Sequence, residues 1–552
     1  MDYKDLADII FPNVKDISYY EEKYPNRNLK EGAIVTRFAP SPTGFVHIGG
    51  LYQSVVAKKL ANQTGGVFFL RIEDTDQKRE VENGVTGIIE ALKEFGMSPD
   101  EGMIDEENYI GNYGPYKQSL RKEIYQSYAK HLIEKGLAYP CFCKSDDLDQ
   151  MRQKQEAAKL RTGYYGVWAK CRHIPVNEQI EKIKNGEEYI LRFKSQGNPE
   201  KKIKHHDVIK GNVDFPENDQ DIVIIKSDGL PTYHFAHAVD DHLMHTTHVI
   251  RGDEWLSSVP LHLQLFQSLG FKAPKYAHIA PIMKEENGAK RKLSKRKDPE
   301  AAVSYYDEVG IPAEAVDEYL LNIANSNFEQ WRRQNPESQI EEFDLQLNKM
   351  SVSGALFDIV KLCDIAKRVI SKYTKEEVYE KALNWAKKYD KDLEKLLEEN
   401  KEYSLQILGI ERGNIKPRRD IGKWEDVKEN IIYMYDNEFY KIEPKYEFQK
   451  ISEKDEIKNI ITTYIEKYFN INDDKETWFN KIKDLAEECG YARETKEYKQ
   501  NPDSYKGHVG DISTVIRICL TSRANTPDMY EIMKVLGSNS VIKRLQYAIE
   551  NL

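Results

Sequence analysis

A short stretch near the N-terminus leaves few folds open to this chain. Residues 33–38 (Ala-Ile-Val-Thr-Arg-Phe) are apolar enough for a buried strand, and the proline, serine and glycine that follow predict a loop. Helical spacing runs from Gly49 to Ala61, and Gly65-Gly66 separates it from a second apolar run at 67–72. Strand, helix and strand in this order predict a βαβ unit, and therefore a parallel sheet with a right-handed crossover.

Length and composition indicate a globular protein of several domains. The chain has 552 residues, whereas single hydrophobic cores stop growing at roughly 250–300 residues. Hydrophobic residues make up 40% and charged residues 31%, which is typical of globular proteins. No apolar run reaches the roughly 18 residues of a membrane span, and the first residues lack the basic start and apolar core of a secretory signal. We therefore expect no membrane segment and a cytoplasmic location.

The net charge of −10 argues neither for nor against a nucleic-acid partner. Phosphate contacts need lysine and arginine, so an acidic chain is not a typical binder. The 81 Lys and Arg residues could nevertheless be concentrated on one face. The class of partner must therefore be inferred from local motifs.

The rest of the chain falls into an interrupted α/β half and a helical half. Residues 119–138 have helical spacing, and further strand candidates are 189–193, 221–225, 247–250 and 278–283. Residues 139–227 contain short strand candidates and a Cys/His cluster, and this change of pattern predicts an inserted domain. From about residue 300 the spacing of apolar residues is typical of helices. Residues 1–31 are polar and predict one short helix plus a linker.

The loop after the first strand is a candidate anion site. In open α/β sheets ligands bind where strands end, and the amino end of the next helix favours anions. Gly49 and Gly50 lack side chains, so a nucleotide could approach the backbone, and His47 can donate hydrogen bonds to phosphate oxygens. The same residues are compatible with a tight structural turn beside a surface histidine.

A second candidate for phosphate binding is the run Lys290-Arg-Lys-Leu-Ser-Lys-Arg-Lys297, in which six of eight residues are cationic. Ser294 between Lys292 and Lys295 suggests a loop that clamps a triphosphate, because lysine neutralises charge on phosphate oxygens. A solvated basic face or a nuclear-localisation-like patch would have the same composition.

Taken together, these two elements resemble the signatures of a known family. Arg37-Phe-Ala-Pro-Ser-Pro-Thr-Gly-Phe-Val-His-Ile-Gly-Gly50 resembles the HIGH signature of class I aminoacyl-tRNA synthetases, and Lys292-Leu-Ser-Lys-Arg296 resembles their KMSKS signature. The Pro-Ser-Pro-Thr-Gly loop narrows the resemblance to glutamyl-tRNA synthetases. Further matches are Leu70-Arg-Ile-Glu-Asp-Thr-Asp76, Pro231-Thr-Tyr-His-Phe-Ala-His-Ala-Val-Asp-Asp-His-Leu-Met244 and Val249-Ile-Arg-Gly-Asp-Glu-Trp255.

The resemblance implies an α/β fold with a class I Rossmann-type catalytic domain on a parallel sheet, an inserted α+β acceptor-binding domain, and an all-α anticodon-binding region. The sequence after residue 311 has few strand patterns, which favours the bacterial type, because glutaminyl and archaeal-type enzymes use β-barrels there. The expected domains are an N-terminal extension (1–31), the catalytic domain (32–118 and 228–283), the insertion (119–227), a stem-contact domain with the Lys-Leu-Ser-Lys-Arg loop (284–370) and the anticodon-binding region (371–552).

The reaction implied by the resemblance is ATP-dependent activation of L-glutamate to glutamyl-adenylate. The glutamyl group then passes to the 3′-terminal adenosine of tRNA(Glu), with tRNA(Gln) as an open second substrate. Magnesium accompanies ATP, without an assigned protein ligand, and a monomer is the state expected from the family. Alignment and charge stabilisation, rather than covalent chemistry by the protein, should provide most of the rate.

The resemblance also assigns residues to glutamate. Arg37 matches the arginine that binds the side-chain carboxylate, with help from Tyr233, and an arginine can bind a carboxylate through two hydrogen bonds. The other matching positions are Arg251, for the α-carboxylate or for orientation, Glu73 and Ser41 near the α-ammonium, and His237 in a further pocket position where some relatives have Asn. An ordinary surface ion pair is the alternative for each charged residue.

For ATP, the resemblance assigns His47 and Lys295 as the catalytic residues. The expected ATP-binding set is His47, Gly49, Gly50, Glu254, Lys292, Ser294, Lys295 and Arg296. In this set Lys292 and Lys295 bind the triphosphate, and Ser294 and Arg296 shape the loop.

The pairs Cys141-Phe-Cys143 and Cys171-Arg-His173 predict a structural zinc site of three thiolates and one imidazole. One residue lies within each pair, a tighter spacing than the usual two to four. Several bacterial members of the resembling family carry such pairs and others lack the metal, so three reduced cysteines beside a histidine remain the alternative. A disulfide is not expected in a cytosolic enzyme.

Three other functions fit parts of the sequence. A glutaminyl-tRNA synthetase shares the class, but it carries a Pro-Glu-Pro-Asn-Gly loop where this chain has Pro40-Ser-Pro-Thr-Gly44. A small-molecule nucleotidyltransferase shares the phosphate loop but is far shorter. A non-catalytic, zinc- and RNA-binding descendant of a synthetase would not need the intact Lys292–Arg296 loop.

Overall fold

The computed structural model describes residues 2–44, 46–294, 296–441 and 445–552. The chain divides into two compact units: Met1–Tyr305 with Val316–Asp358, and Tyr306–Ala315 with Ile359–Leu552. The first unit mixes strands and helices, and the second is helical in its described part. The expected division into five finer domains stays a prediction.

The N-terminal residues form two helices, α1 (Tyr3–Ile10) and α2 (Ile17–Lys23), so the expectation of one helix was wrong. Each helix begins at an aspartate whose side chain accepts hydrogen bonds from backbone N–H groups of the first turn, namely Asp2 and Asp16. Arg27 then anchors the segment, because its guanidinium donates to both oxygens of Glu101 at 2.8 and 2.9 Å.

The βαβ unit is confirmed. Strand β1 (Val35–Phe38), helix α3 (Ile48–Gln63) and strand β2 (Val67–Leu70) follow one another, and the two strands pair in parallel. The sheet continues through helix α4 (Gly84–Glu94) to strand β3 (Glu101–Met103), parallel to β2, and ends at the antiparallel β4 (Tyr109–Ile110). All four residues of β1 are buried, as in a sheet covered on both faces.

The insertion has the mixed character that the sequence predicted. Its elements are α5 (Lys122–Glu134), β5 (Ala138–Cys141), α6 (Ser145–Ala157), α7 (Val176–Lys184), β6 (Ile190–Phe193), β7 (Lys202–Asp207), β8 (Gly211–Pro216) and β9 (Val223–Ile225). Strands β5, β6 and β9 form one antiparallel sheet, and β7 with β8 forms a separate hairpin.

After the insertion the chain returns to the parallel sheet. The elements are α8 (Tyr233–Leu243), β10 (His248–Gly252), α9 (Val259–Leu269) and β11 (Lys275–Ile279), with β10 and β11 parallel. Thr247 N donates to Val35 O at 3.0 Å, which places β10 beside β1. The strand expected at 278–283 was wrong, because Pro281 separates β11 from β12 (Ile282–Glu286).

The remaining chain is helical apart from two short strands, in agreement with the sequence. Strand β13 (Ala289–Lys292) pairs antiparallel with β12, and β14 (Ala355–Leu356) pairs parallel with it. The helices are α10 (Ser304–Val309), α11 (Ala313–Ala324), α12 (Phe328–Gln334), α13 (Ile359–Ser371), α14 (Lys375–Tyr389), α15 (Lys391–Glu399), α16 (Lys401–Gly409), α17 (Glu425–Ile431), α18 (Asp436–Lys441), α19 (Lys454–Thr463), α20 (Lys475–Glu488), α21 (Thr495–Gln500), α22 (Val509–Thr521) and α23 (Met529–Asn551).

The second unit has one continuous apolar core. Side chains such as Trp385, Leu408, Ile461 and Leu545 belong to it, and each is at most 8% exposed. Among the described helices, none is both long enough and apolar enough to cross a membrane.

Candidate active site

A cavity of about 660 Å³ lies where strands β1, β2 and β10 end. Carboxyl ends of parallel strands meet at one edge of a sheet, which is where open α/β sheets bind ligands. Five of the six residues assigned to glutamate line this cavity: Arg37, Ser41, Glu73, Tyr233 and Arg251. The sixth, His237, does not.

Separate elements present these side chains at one place. Arg37 lies on β1, Arg251 lies on β10, and Tyr233 is the first residue of α8. Glu73 follows β2, and its backbone N–H donates to Pro40 O at 3.0 Å, which ties it to the loop that carries Ser41. These residues bring two cations and one carboxylate to the cavity, and Arg79, Lys226 and Asp76 also line it, so groups of both charges are present for a zwitterion with an extra carboxylate.

Arg37 is buried but is held only by long contacts. Its Nε lies 3.4 Å from both carboxylate oxygens of Asp241, and its Nη1 lies 3.4 Å from Ile250 O. Strong ion-pair hydrogen bonds measure about 2.7–2.9 Å. The guanidinium can therefore exchange these contacts for a closer carboxylate in the cavity.

Asp241 has a closer partner in Arg71, which sequence reasoning did not assign. Arg71 Nη1 lies 2.7 Å from Asp241 Oδ1, and its Nη2 lies 3.1 Å from Glu73 Oε1. Burial alone would raise the pKa of Asp241, but the Arg71 and Arg37 guanidinium groups hold it well below its usual range. Asp241 is thus an ionised counter-charge beneath the cavity.

The network of buried charges extends one step further. Asp240 accepts a hydrogen bond from Arg121 Nε at 2.7 Å, and its other oxygen accepts from Tyr125 Oη at 2.7 Å. Arg71 and Asp240 belong to sequence motifs that carried the family resemblance, so a signal existed. These motifs did not reveal the buried network, because a charged residue in a sequence gives no indication of which residue it will pair with in the fold.

Glu73 is almost fully buried at the cavity wall. Burial raises its pKa, although Arg71 and Arg37 act in the opposite direction. When a carboxylate is costly to ionise, a cation that binds beside it stabilises the ionised form strongly. This property suits a residue that faces an ammonium group.

His237 lies behind the cavity rather than in it, which corrects the expectation of a pocket position. It is fully buried, its Nε2 lies 3.0 Å from Tyr276 Oη, and its Nδ1 lies 2.8 Å from Asp241 Oδ2. Its ring stacks on that of Tyr233 with centroids 5.9 Å apart. Because it lies on the buried side of α8, helix packing and not sequence spacing decides its place.

A second cavity of about 340 Å³ lies beside the amino end of α3. Five of the residues assigned to ATP line it: His47, Gly49, Gly50, Glu254 and Lys292. His47 caps α3, and its Nδ1 accepts a hydrogen bond from Gly49 N at 2.9 Å. A neutral His47 therefore carries its proton on Nε2, where it can donate to an anion.

Gly50 also has a packing role. A Cβ at this position would lie 3.2 Å from the ring of Phe38, closer than most such contacts allow. The glycine thus permits close packing of α3 on β1 as well as access to the backbone. Across the same cavity, Lys292 Nζ and Glu254 Oε2 are 3.9 Å apart, a long and exposed ion pair.

The basic loop is shaped by Asp298. Arg291 donates to both of its carboxylate oxygens at 2.6 and 2.7 Å, and Ser294 N donates at 2.8 Å. Ser294 and Arg296 are not among the described residues that line the second cavity. Lys295, assigned as catalytic, lies outside the described residues.

Three of the four predicted zinc ligands come together in the insertion. The sulfur atoms of Cys141, Cys143 and Cys171 lie within 4.8 Å of one another. Cys143 Sγ and Cys171 Sγ are 3.6 Å apart, close to the edge of about 3.8 Å expected for tetrahedral zinc with Zn–S bonds of about 2.3 Å. The donors and their spacing therefore fit the metal.

The fourth predicted ligand, His173, is exposed and outside this group, which corrects that expectation. The hydroxyl of Tyr164 lies there instead, 3.5 Å from Cys141 Sγ and 3.4 Å from Cys143 Sγ. Hydrogen bonds from Cys143 and Cys171 lower the pKa of the Cys141 thiol. Tyr164 is seven residues before Cys171, so no knuckle pattern points to it.

Comparison with known families covers most of the chain. The description "tRNA synthetases class I (E and Q), catalytic domain" matches residues 33–364. The description "Anticodon binding domain" matches residues 496–549. The first match spans the α/β half and the first helices after it, and the second match lies in the helical half.

Full-length relatives agree with these matches. The chain is 54% identical to a glutamate–tRNA ligase of Clostridium perfringens, over 99% of this chain and 100% of the relative. It is 52% identical to a glutamate–tRNA ligase of Acetivibrio thermocellus over 99% of this chain and 100% of the relative. A solved glutamate tRNA ligase from Elizabethkingia meningosepticum, in complex with its amino acid, has a TM-score of 0.71 at 27% identity, covering 94% of this chain and 100% of that one.

Proposed function

The chain belongs to the class I tRNA synthetases of the glutamate and glutamine group, and on that premise we propose that it is a glutamate–tRNA ligase. It couples ATP to the activation of L-glutamate and transfers the glutamyl group to the 3′-terminal adenosine of tRNA(Glu). The observation that carries the choice of glutamate is Arg37, a buried cation in the wall of the larger cavity. An arginine favours a carboxylate over the neutral amide of glutamine.

The larger cavity has partners of the right charge for each group of glutamate. Arg37 binds the side-chain carboxylate with help from Tyr233, while Glu73 and Ser41 receive the α-ammonium. Arg251 orients the α-carboxylate toward the smaller cavity. Gln53 supports this arrangement, because it lines both cavities and so marks where amino acid and nucleotide meet.

The smaller cavity receives ATP. His47 donates from Nε2 to a phosphate oxygen, and the glycines beside it leave the backbone of α3 open to the nucleotide. Glu254 contacts the ribose or adenine side, and Lys292 with Lys295 neutralises the triphosphate, in a loop shaped by Ser294 and Arg296. Magnesium enters as the counter-ion of ATP, and we assign it no side chain of this protein.

The thiol cluster holds one structural zinc ion. Cys141, Cys143 and Cys171 supply thiolates, and Tyr164 rather than His173 supplies the fourth ligand atom. A bound zinc would link the end of β5, the loop after it and the turns that carry Tyr164 and Cys171, in a small subdomain with little apolar core of its own. The metal takes no part in adenylate formation.

The partners are tRNA(Glu) and, as a second substrate to be tested, tRNA(Gln). The helical unit binds the anticodon arm, in keeping with the family match at 496–549. We propose a monomer that acts in the cytoplasm, where translation consumes charged tRNA.

Aminoacylation of purified glutamate and glutamine tRNAs, each with glutamate or glutamine, tests the function. We expect charging of tRNA(Glu) by glutamate and none by glutamine. The parallel reaction with tRNA(Gln) decides whether the enzyme serves one tRNA or two. Charging by glutamine in preference to glutamate would overturn the proposal.

A further inference from the structure

Behind Arg251 lies a chain of buried, hydrogen-bonded side chains to which the proposed reaction assigns no role. Arg251 is 3% exposed, and its Nε donates to His278 Nε2 at 3.0 Å. Its Nη1 lies 3.2 Å from His262 Nδ1. Both histidines are fully buried. Two edges of the guanidinium are therefore held by ring nitrogens.

The arginine determines where both histidines carry their protons. A guanidinium can only donate, so His278 Nε2 and His262 Nδ1 must be the acceptors. The proton of His278 is then on Nδ1, 2.6 Å from Asp207 Oδ2, and that of His262 is on Nε2, 2.8 Å from His234 Nδ1. Burial lowers the pKa of both His278 and His262, which keeps the rings neutral.

Asp207 comes from the inserted hairpin and not from the sheet that carries Arg251. It is the last residue of β7 and fully buried. Its Oδ1 accepts from Ile209 N at 2.9 Å and Lys210 N at 2.8 Å, and its Oδ2 lies 3.2 Å from His278 N. Every contact of this carboxylate is thus a hydrogen-bond donor.

We propose that Asp207 and His278 are positioning residues for Arg251. Asp207 holds the proton of His278 on Nδ1, His278 then presents a bare Nε2 to Arg251, and the guanidinium is aimed at the cavity. Preorganised donors of this kind gain affinity because their orientation is fixed before the ligand arrives. The inference rests on the proposed function, and it adds how the inserted hairpin contributes to the glutamate site.

The decisive variant is Asp207→Asn, which is nearly isosteric. An amide NH2 must now face one of the donors around residue 207, and the backbone N–H groups cannot change. His278 can become an acceptor at Nδ1 by moving its proton to Nε2. That proton would then face the Arg251 Nε–H, whose nitrogen is 3.0 Å away, so two donors would oppose each other. The same wrong-tautomer effect follows Asp→Asn substitution in serine-protease triads. We expect the KM for glutamate to rise about tenfold, the effect of a lost buried hydrogen bond, with the KM for ATP and for tRNA nearly unchanged.

A pair of variants at His278 tests the same step independently and remains informative if Asp207→Asn fails to fold. The carbonyl of His278→Gln can still accept from Arg251, whereas His278→Leu has no acceptor. We expect the leucine variant to raise the KM for glutamate about tenfold and the glutamine variant to raise it far less. Asp207→Asn should add little in the His278→Gln background, because no tautomer remains to be fixed.

The matched control is Asp221→Asn in the same insertion. Asp221 is also fully buried, but it pairs with Arg172 at 2.6 Å and not with the Arg251 chain. The Asp221→Asn substitution should lower the melting temperature and leave the KM for glutamate unchanged. All variants are measured as full-length protein by aminoacylation of tRNA(Glu).

The outcomes separate the two proposals. If the wild-type protein does not charge tRNA(Glu) with glutamate, the proposed function fails. If it does, but Asp207→Asn and His278→Leu change only stability or the KM for tRNA, then Asp207 merely anchors the hairpin and the inference is overturned. A rise in the KM for glutamate that His278→Gln escapes supports it.

Discussion

The two compact units place charge differently. In the first unit, Arg37, Arg71, Arg121, Asp240 and Asp241 are each at most 2% exposed and lie in or beneath the larger cavity. Among the described residues of the second unit, the buried charged side chains are fewer, namely Arg418, Asp511 and Arg544, and the partner of Arg544, Asp436, is 40% exposed. The comparison teaches that a cavity for a small charged ligand needs paired ionised groups inside the protein, whereas in the helical unit the fully buried Arg544 pairs with a carboxylate that water can still reach.

Histidines follow the same division. Twelve of the 13 histidines belong to the first unit, and the second contains only His508. Burial lowers the pKa of His234, His237 and His248 to about 4. The first unit therefore depends on neutral buried rings as well as on buried ion pairs, and it should respond to mutation and acid differently from the second.

The largest expected effect follows removal of one member of the buried charge network. Arg71→Met leaves Asp241 without its 2.7 Å partner, and breaking a buried ion pair costs about 3–5 kcal/mol. Hydrogen exchange measured by mass spectrometry should show faster exchange across the first unit only.

Arg544→Met is the matched variant in the second unit. Arg544 is fully buried, but its partner Asp436 is 40% exposed and can be hydrated once the arginine is gone. The loss should be smaller than for Arg71→Met and confined to the second unit. An equal loss from both variants would refute the distinction between the two units.

Arg37→Leu should affect activity more than stability. The contacts of Arg37 with Asp241 are long, at 3.4 Å. Asp241 would still have its closer partner Arg71, at 2.7 Å, after the substitution. A substrate carboxylate would lose its cation, which costs about 2–5 kcal/mol, so kcat/KM for glutamate should fall about thirtyfold or more. Steady-state aminoacylation with a parallel thermal melt checks this. Wild-type kinetics would remove Arg37 from the site.

Acid should loosen the first unit before the second. The folded pKa values of His234 and His237, about 4, lie below the ordinary 6.5, so between these values the unfolded chain binds more protons. Stability from these neutral rings is complete above about pH 6.5 and is lost as the pH falls toward 4, by about 1–2 kcal/mol per histidine at pH 5. Hydrogen exchange corrected for the intrinsic pH effect should detect it. Earlier loosening of the second unit would contradict the expectation.

The zinc site tests whether the insertion also relies on a polar cluster. Tyr164→Phe should weaken zinc retention about tenfold, and Cys143→Ser should abolish it, because each removes a ligand. His173→Ala should leave the metal in place, since that side chain is exposed. Metal analysis after dialysis against a graded chelator measures the difference. Zinc loss from the His173 variant, with retention in the Tyr164 variant, would restore the original assignment.

The smallest effect is expected at the surface of the second unit. Lys391 lies 2.8 Å from Glu394 but is 72% exposed. Exposed pairs of this kind contribute less than about 1 kcal/mol, so Lys391→Ala should shift denaturant unfolding hardly at all. A loss as large as that of Arg71→Met would show that the second unit also depends on its charges.

Much of the fold was readable from local patterns. The loop and glycines around 37–50 predicted β1, α3 and β2, because strand, turn and helix signals act over a few residues. The short helices α1 and α2 were merged into one, and the break at Pro281 was overlooked. Both errors concern elements of ten residues or fewer, where spacing carries little information.

The candidate site divides in the same way. Arg37, Glu73 and Arg251 could be named from sequence because they stand at strand ends within recognisable motifs. His173 could not be excluded, nor Tyr164 found, since the position of each depends on how the insertion folds back on itself. Asp207 and His278, 71 residues apart, gave no signal at all.

The sequence by itself determined the family, the βαβ core and the arginines of the larger cavity, because these depend on residue types at fixed short spacings. Only the tertiary structure decided which charges pair. Arg71 meets Asp241 across 170 residues, and Arg251 meets a carboxylate of the insertion through His278. Such partners are chosen by burial, since a charge removed from water must find an opposite charge wherever the fold brings one.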